Sequence, residues 1–363
     1  MNLAIPDTEY MKYGKNLYKD KDRFIEEATF ELTYRCNLNC VHCWCNDLSL
    51  KRREEELKFN EICMIMDKIA NEGCLWICFT GGEPLIREDF FDLYLYAKKK
   101  GFMISVLTNA TLIDEKTADF FAEWPPRLVE ITLYGIKEKT YEQVTGVKGS
   151  FRKCMGAIER LAGRKINLEI KTMLLTINKH EIKAMSDFAR NLGVNFRHDP
   201  FVHSKLNGDK SPHQFRLAAE EIVEIESEMK NMPGYWQKQC KSSFNLKIEC
   251  EKLYICGAGR GSFFVDPYGG LRTCGVPCKH VYDLKKGSFE EGWYNFIPWV
   301  VDRKRSNQDF VCQDCQIRGM CSQCPNLAYL EKGDEEKVVD YICAVFKERA
   351  KRFGKEVLIN AGN

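Results

Sequence analysis

Short runs of β-branched and apolar residues recur through the first half of the chain, each followed by a longer stretch whose apolar positions repeat at helical spacing. The pattern predicts strands over 29–32, 75–79, 103–107, 128–133, 168–174 and 194–197, with helices over 59–70, 90–100, 115–121, 151–161 and 182–192. Such alternation builds βα units, because a parallel strand can reach its neighbour only by a crossover. The expected fold class is α/β, a partial (β/α)6 TIM-like barrel, with an open doubly wound sheet as the alternative. Within 167–174 the alternation sets Glu169, Lys171 and Met173 on one face and Ile170, Thr172 and Leu174 on the other. In a barrel that Glu and Lys are either lumen groups or an ion pair at a solvated edge.

A packing helix is expected over 216–230, where Ala218, Ile222, Ile225 and Met229 share one face. After residue 249 the periodicity fades, and a Pro-Tyr-Gly-Gly turn at 267–270 separates two short apolar runs. Little apolar core is expected there, so bound metal should hold the region together. A last helix is expected over 335–352. The layout reads as an N-terminal extension (1–27), a barrel (28–215), a linking helical region (216–249) and a cysteine-rich domain (250–363). The charged run 51–56 reads as a solvated loop.

With 54 Lys and Arg against 52 Asp and Glu, a net charge of +2 supplies no electrostatic reason for a nucleic acid or an acidic membrane as partner. No apolar run approaches the roughly 18 residues of a membrane span, and the N-terminus lacks the apolar centre of a signal peptide. The expected location is the cytoplasm. That changes how 18 cysteines in 363 residues are read: thiols there stay reduced, so dense groups are metal ligands rather than disulfides. An ordinary hydrolase or dehydrogenase is excluded. Of the cysteines outside the dense groups, Cys74 and Cys78 lie in apolar strands and read as small core residues, as their kind usually does.

Cys36-Asn-Leu-Asn-Cys40-Val-His-Cys43 follows the first strand directly, so three thiolates leave the strand's C-terminal edge, where barrel active sites form. They can hold three irons of a [4Fe-4S] cluster and leave the fourth open. Structural zinc would need a fourth ligand, for which Cys45 is the candidate. His42 reads as a loop residue.

This C-x3-C-x2-C arrangement resembles the signature of the radical S-adenosylmethionine (SAM) enzymes. Gly81-Gly82-Glu83-Pro84, after the second strand, is similar to that family's GGE motif, which holds the amino group of SAM. Thr108-Asn109 ends the third strand. Thr132-Leu133-Tyr134-Gly135 ends the fourth, where relatives often carry Ser-Leu-Asp-Gly, and Thr145-Gly146 stands where they often have Arg-Gly. The resemblance covers roughly residues 25 to 200 and implies that Gly81, Gly82, Glu83, Thr108, Asn109 and Thr132 contact SAM. With Thr145 in place of the Arg, Lys171 is expected to reach the SAM carboxylate, and Arg197 is the next candidate. One electron from the cluster then cleaves SAM to a 5′-deoxyadenosyl radical that abstracts a substrate hydrogen.

The later series, Cys256, Gly269-x4-Cys274, Cys312-x2-Cys315-x5-Cys321-x2-Cys324 and Cys343, resembles the SPASM domain of radical SAM peptide-modifying enzymes, although the last close pair usually has three residues between its cysteines rather than two. The resemblance implies that Cys250, Cys256, Cys274 and Cys324 hold one auxiliary [4Fe-4S] cluster and Cys312, Cys315, Cys321 and Cys343 another, three clusters in all. Cys240 and Cys278 flank the first of these sets. Paired C-x2-C spacings also suit zinc ribbons, which stay open as the alternative.

By the same resemblance the expected activity is maturation of a ribosomal peptide or protein: a thioether or carbon–carbon crosslink, an oxidation or an epimerisation. The partners are that substrate, a low-potential reductant such as a flavodoxin or ferredoxin, and a separate leader-peptide-binding protein, since residues 1–27 are too few for an independent domain. Sulfatase maturation is the runner-up, because Gly275 stands where those relatives carry an Asp. A haem-pathway or other small-molecule radical SAM enzyme comes third. An iron–sulfur scaffold or electron carrier without radical chemistry is the non-enzymatic alternative, against which the GGEP segment and the strand series speak.

Overall fold

The computed structural model describes residues 23–45, 52–243, 251–306, 310–312 and 315–354. Its sheet runs β6-β5-β4-β3-β2-β1-β7-β8-β9. The first six strands are β1 (Glu27–Glu31), β2 (Trp76–Thr80), β3 (Met103–Thr108), β4 (Leu128–Thr132), β5 (Leu168–Met173) and β6 (Asn195–Asp199), each parallel to the next. A doubly wound sheet reverses its strand order at a switch point. Sequential order without reversal is barrel winding, and β6 and β9 as edges leave the barrel open. The crossovers carry α1 (Phe59–Asn71), α2 (Phe90–Lys99), α3 (Glu115–Glu123), α4 (Glu138–Thr145), α5 (Ser150–Gly163) and α6 (Ile182–Asn191). Their apolar faces cover the outside of the sheet, where Phe30, Ile77, Phe79, Ile104, Val106 and Ile131 are almost wholly buried.

The sequence pattern misses α4, because Glu138–Thr145 offers only Tyr141 and Val144 as apolar positions; burial of Thr140 and Thr145 completes its inner face. Gly146 ends this helix at φ +68°, a conformation glycine adopts without a Cβ penalty. Two helices follow β6, α7 (Ala219–Glu228) and α8 (Met232–Ser243), and two lie near the C-terminus, α9 (Pro325–Lys332) and α10 (Asp340–Phe353). Glu226 of α7 is fully buried between Arg349 of α10, at 2.9 and 2.6 Å, and His198 of β6 at 3.4 Å. A carboxylate so desolvated is tolerable only when paired, which ties the last helix to the barrel in one orientation.

The expectation of a core-poor region after residue 249 is corrected by the structure. β7 (Ser262–Val265) pairs in parallel with β1, and β8 (Gly270–Arg272) and β9 (Tyr282–Asp283) extend the same sheet through antiparallel pairing. Phe263, Val265, Leu271, Phe289, Trp293 and Ile297 belong to the barrel's own hydrophobic core. Apolar burial therefore contributes directly to holding this segment on the barrel. The run 51–56 also differs from expectation: residues 53–55 form an exposed 3₁₀ turn, but Glu56 is buried beneath the first cysteine loop.

Candidate active site and cysteine groups

Cys36, Cys40 and Cys43 leave β1 on a loop whose shape neighbouring backbone dictates. The amides of Asn39 and Val41 donate to the carbonyls of Thr145 and Val144, at 2.9 and 3.0 Å, so the end of α4 clamps the middle of the motif. The residues before Cys36 are pressed from both sides. Glu56 accepts from the Thr33 hydroxyl and from Arg35, at 3.2 and 3.1 Å. Opposite, the amides of Gly82 and Glu83 donate to the carbonyls of Thr33 and Arg35, at 2.6 and 3.0 Å. A Cβ on Gly81 would stand 2.3 Å from the Thr33 carbonyl oxygen, and one on Gly82 the same distance from that of Arg35. The two glycines are thus required by the approach of residues 33–35.

Burial pushes the Cys36 thiol up to about 11, with a hydrogen bond from the Leu38 amide opposing it, and raises Cys40 well above the usual thiol value. Thiols in this pocket become ligands when a bound metal's charge deprotonates them. The Asn109 amide lies 3.6 Å from the Cys36 sulfur and 2.9 Å from Asn37 Oδ1, and the Tyr134 hydroxyl bonds Cys40. Cys45 is buried against Cys43. Among the described residues, no three His, Cys, Asp or Glu side chains close around one point as a single metal ion requires; a cubane, which spreads its ligands over four irons, does not demand that. The donor set and its polar second layer fit a cluster.

Glu83 is wholly buried and takes three donors, the Thr108 hydroxyl and Asn109 amide at 2.8 Å each and the Leu85 amide at 3.2 Å. It welds the end of β2 to that of β3. Burial lifts its carboxyl to about 7 in spite of those donors. One acceptor position remains for an ammonium group.

Lys171 and Glu169 of β5 do face the lumen, but not as a pair. Lys171 lies 3.6 Å from Glu130 of β4, while Arg197 of β6 bonds Glu130 and, at 2.8 Å, Glu169. The ladder pairs Thr132 with Lys171 and Lys171 with Arg197 side by side. Lys171 also contributes, behind burial, to holding His42 neutral at about 4. His42 does lie in the loop, but buried: its ring packs edge-on against Tyr134 with centroids 5.0 Å apart, and its Nδ1 is buried without a hydrogen-bond partner among the described residues. The segment after β6 closes over this site, stacking His203 on Trp44 at 5.9 Å.

In the C-terminal half, the Asn326 amide donates to two sulfurs, Cys274 at 3.3 Å and Cys278 at 3.0 Å, and the Tyr254 hydroxyl holds its Oδ1 at 2.8 Å. Cys324 lies within electrostatic reach of this pair and Cys256 within reach of Cys324; Cys250 falls outside the described residues. A Cβ on Gly275 would stand 2.8 Å from the Phe264 ring, so an acid does not fit there without movement. Cys312, Cys315, Cys321 and Cys343 form the second group, each within electrostatic reach of others in the set. Beside them Arg318 is buried with Nε, Nη1 and Nη2 all lacking a hydrogen-bond partner among the described residues. An orphaned guanidinium amid four cysteines fits an anionic iron–sulfur centre.

Sequence reasoning missed Glu130, Asn326 and Arg318, and left Cys278 outside the ligand set. Arg318 carried one usable signal, its place inside the C-x2-C-x5-C spacing; Glu130 and Asn326 carried none, since their partners lie far along the chain.

Residues 30–189 match the radical SAM superfamily. The chain is 25% identical over 323 residues to an AdoMet-dependent heme synthase of Methanosarcina barkeri, covering 84% of this chain and 92% of that one. It is also 25% identical over 313 residues to the antilisterial bacteriocin subtilosin biosynthesis protein AlbA of Bacillus subtilis, covering 82% and 66%. The crystal structure of Streptococcus suis SuiB bound to precursor peptide SuiA shares the fold, with a TM-score of 0.66 over 94% of this chain and 82% of that one at 15% identity. Cysteine loop, glycine turn and strand order agree with these matches: residues 30–189 are a radical SAM domain, and the chain is an enzyme that carries a cysteine-rich C-terminal extension after it.

Proposed function

We propose that this enzyme matures a ribosomally made peptide or protein in the cytoplasm. The observation that carries the reading is the cysteine-rich C-terminal half joined to the barrel's own sheet through β7 and β8, beside Cys274, in a chain that aligns with AlbA over most of its length. Cys36, Cys40 and Cys43 hold the SAM-binding cluster. Its fourth iron and SAM, when bound, supply the 5′-deoxyadenosyl radical for hydrogen abstraction.

Gly81 and Gly82 keep the cysteine loop seated, Glu83 takes the SAM ammonium at its remaining acceptor position, and Thr108, Asn109 and Thr132 line the strand ends around it. Lys171, with Arg197 behind it, meets the SAM carboxylate. Two auxiliary [4Fe-4S] clusters occupy the C-terminal groups, with Cys278 competing with Cys250 for a place in the first. A low-potential flavodoxin or ferredoxin supplies electrons, and a separate protein presents the peptide leader.

The Methanosarcina alignment, which covers 92% of a heme synthase, favours an iron porphyrin as the second reading. The packing of Gly275 against Phe264 counts against sulfatase maturation. Anaerobic turnover with SAM, reductant and a peptide encoded beside this gene should change the peptide's mass in step with 5′-deoxyadenosine. If the peptide stays intact and iron coproporphyrin loses propionate carbons instead, the peptide reading is wrong.

A further inference from the structure

Arg318 opens the short 3₁₀ turn Arg318–Met320 between Cys315 and Cys321, and its amide donates to the Cys315 carbonyl at 2.9 Å. Its backbone is therefore fixed by the ligand loop itself. The side chain is 4% exposed, and all three guanidinium nitrogens lack a hydrogen-bond partner among the described residues. Five N–H donors and a permanent charge are unmet. Phe310 gives a cation–π contact at 5.5 Å to its centroid, on a ring that the Arg305 guanidinium already covers at 3.6 Å, so this contact offsets little of the cost of burying the charge.

A charge removed from water demands an anion. The groups around Arg318 are the Cys312 and Cys321 sulfurs, with Cys343 beside them. Four thiolates on a cubane leave a net negative charge that grows by one on reduction, so a fixed cation alongside stabilises the reduced form more than the oxidised form. The first C-terminal group is built otherwise. Its sulfurs meet the neutral Asn326 amide and the Thr273 hydroxyl; the cation within reach of Cys278, Arg272, is already paired with Glu31, and behind the amide the Tyr254 hydroxyl touches Glu335 at 3.1 Å.

We propose that Arg318 is the resident counter-cation of the cluster held by Cys312, Cys315, Cys321 and Cys343, donating to its sulfur atoms and holding its reduction potential above that of the Cys274 group. This rests on the reading that both C-terminal groups bind iron–sulfur clusters. With both clusters bound, the second would be the more readily reduced of the two. Arg318 acts on the cluster and touches no substrate; it is a positioning and tuning residue.

The test is an anaerobic potentiometric titration of the full-length reconstituted protein with dithionite, followed by electron paramagnetic resonance. Iron is counted first: a wild-type protein with iron only at the barrel refutes the cluster reading itself, before Arg318 is varied. With all clusters present, Arg318→Met should shift one midpoint downward by about tenfold in the one-electron equilibrium, about 59 mV, and leave the others in place. Arg318→Lys, which keeps the charge, should fall between. Loss of about four irons in the Met variant with retention in the Lys variant supports the same pairing. Unchanged midpoints in an iron-replete Met variant overturn it. A melting scan of the metal-free chain guards against a purely structural role: Arg318→Met should melt at or above the parent. A marked drop there means that the guanidinium is already paired within the protein, and overturns the proposal.

Discussion

The barrel's cysteine loop and the C-terminal cysteine groups gather thiols by different means. Around Cys36, Cys40 and Cys43 the work is done by backbone, with the end of α4, the glycine turn after β2 and the residues behind β1 locked together by amide–carbonyl bonds. The polar side chains that touch those sulfurs, Asn109 and Tyr134, are neutral. The C-terminal groups lean on single side chains, Asn326 at one and Arg318 at the other. A site made of backbone keeps its shape whatever occupies it, whereas one centred on an unpaired guanidinium is incomplete until an anion arrives. The first arrangement suits a site that must admit and release SAM repeatedly, and the second suits a cluster that stays.

Removing the barrel ligands is the harshest test of this contrast. Replacing Cys36, Cys40 and Cys43 together with Ala should abolish SAM cleavage and leave about eight irons, those of two auxiliary clusters. Iron analysis beside 5′-deoxyadenosine quantification checks both halves. Stoichiometric zinc in the C-terminal half would show that the two regions differ in metal as well as in construction.

Cys278 sharpens the comparison within the C-terminal half. It shares its Asn326 donor with Cys274, so Cys278→Ala should cost about four irons while Cys250→Ala costs none. The reverse pattern would return Cys250 to the first group and leave Cys278 as a neighbouring thiol.

In the lumen, Lys171→Met keeps the stem and deletes the charge. A charge-assisted hydrogen bond contributes about 1.5–3 kcal/mol, so SAM affinity should weaken by roughly 10- to 100-fold with all clusters retained. If calorimetry shows SAM binding as in the parent, Lys171 serves Glu130 alone.

Glu83 gives the smallest effect and the clearest pH signature. Burial raises its carboxyl from the ordinary 4.5 to about 7. The unfolded chain therefore releases this proton first, and the stability that depends on it, full at low pH, is lost as pH rises from about 4.5 to about 7. The loss should be about 3 kcal/mol in the metal-free protein and absent in Glu83→Gln. Denaturant melts at pH 5 and pH 8 measure it. The same variant should bind SAM several-fold more weakly while keeping its iron; unchanged affinity would make Glu83 a weld between β2 and β3 and nothing more.

β1 to β4 were legible as short apolar runs and β5 as a period-two alternation, both local properties; β6, a half-exposed edge strand, was marked only by the short run 194–197. The three-cysteine motif was legible for the same reason, since its eight residues are contiguous. α4 was not, because its inner face is made partly of threonines whose burial depends on what they meet. The charged lumen was half legible: alternation placed Glu169 and Lys171 on one face, but the carboxylate 3.6 Å from Lys171 is Glu130 and not Glu169, and nothing within β5 announces a neighbour on β4.

What the chain by itself determined is therefore the set of local periods and spacings: six βα units in order, a cluster-binding loop at the end of the first strand, a glycine turn after the second, and two later cysteine series. Only the tertiary structure decided that β7 joins β1 and draws residues 262–297 into the barrel core, that Gly81 and Gly82 answer to Thr33 and Arg35, and that Asn326 and Arg318 are the groups set against the cysteines. The physical reason is range. Backbone period and ligand spacing are set by neighbours a few residues apart, while sheet pairing, burial of a charge and a shared donor are set by segments tens to hundreds of residues apart, which meet only when the core closes.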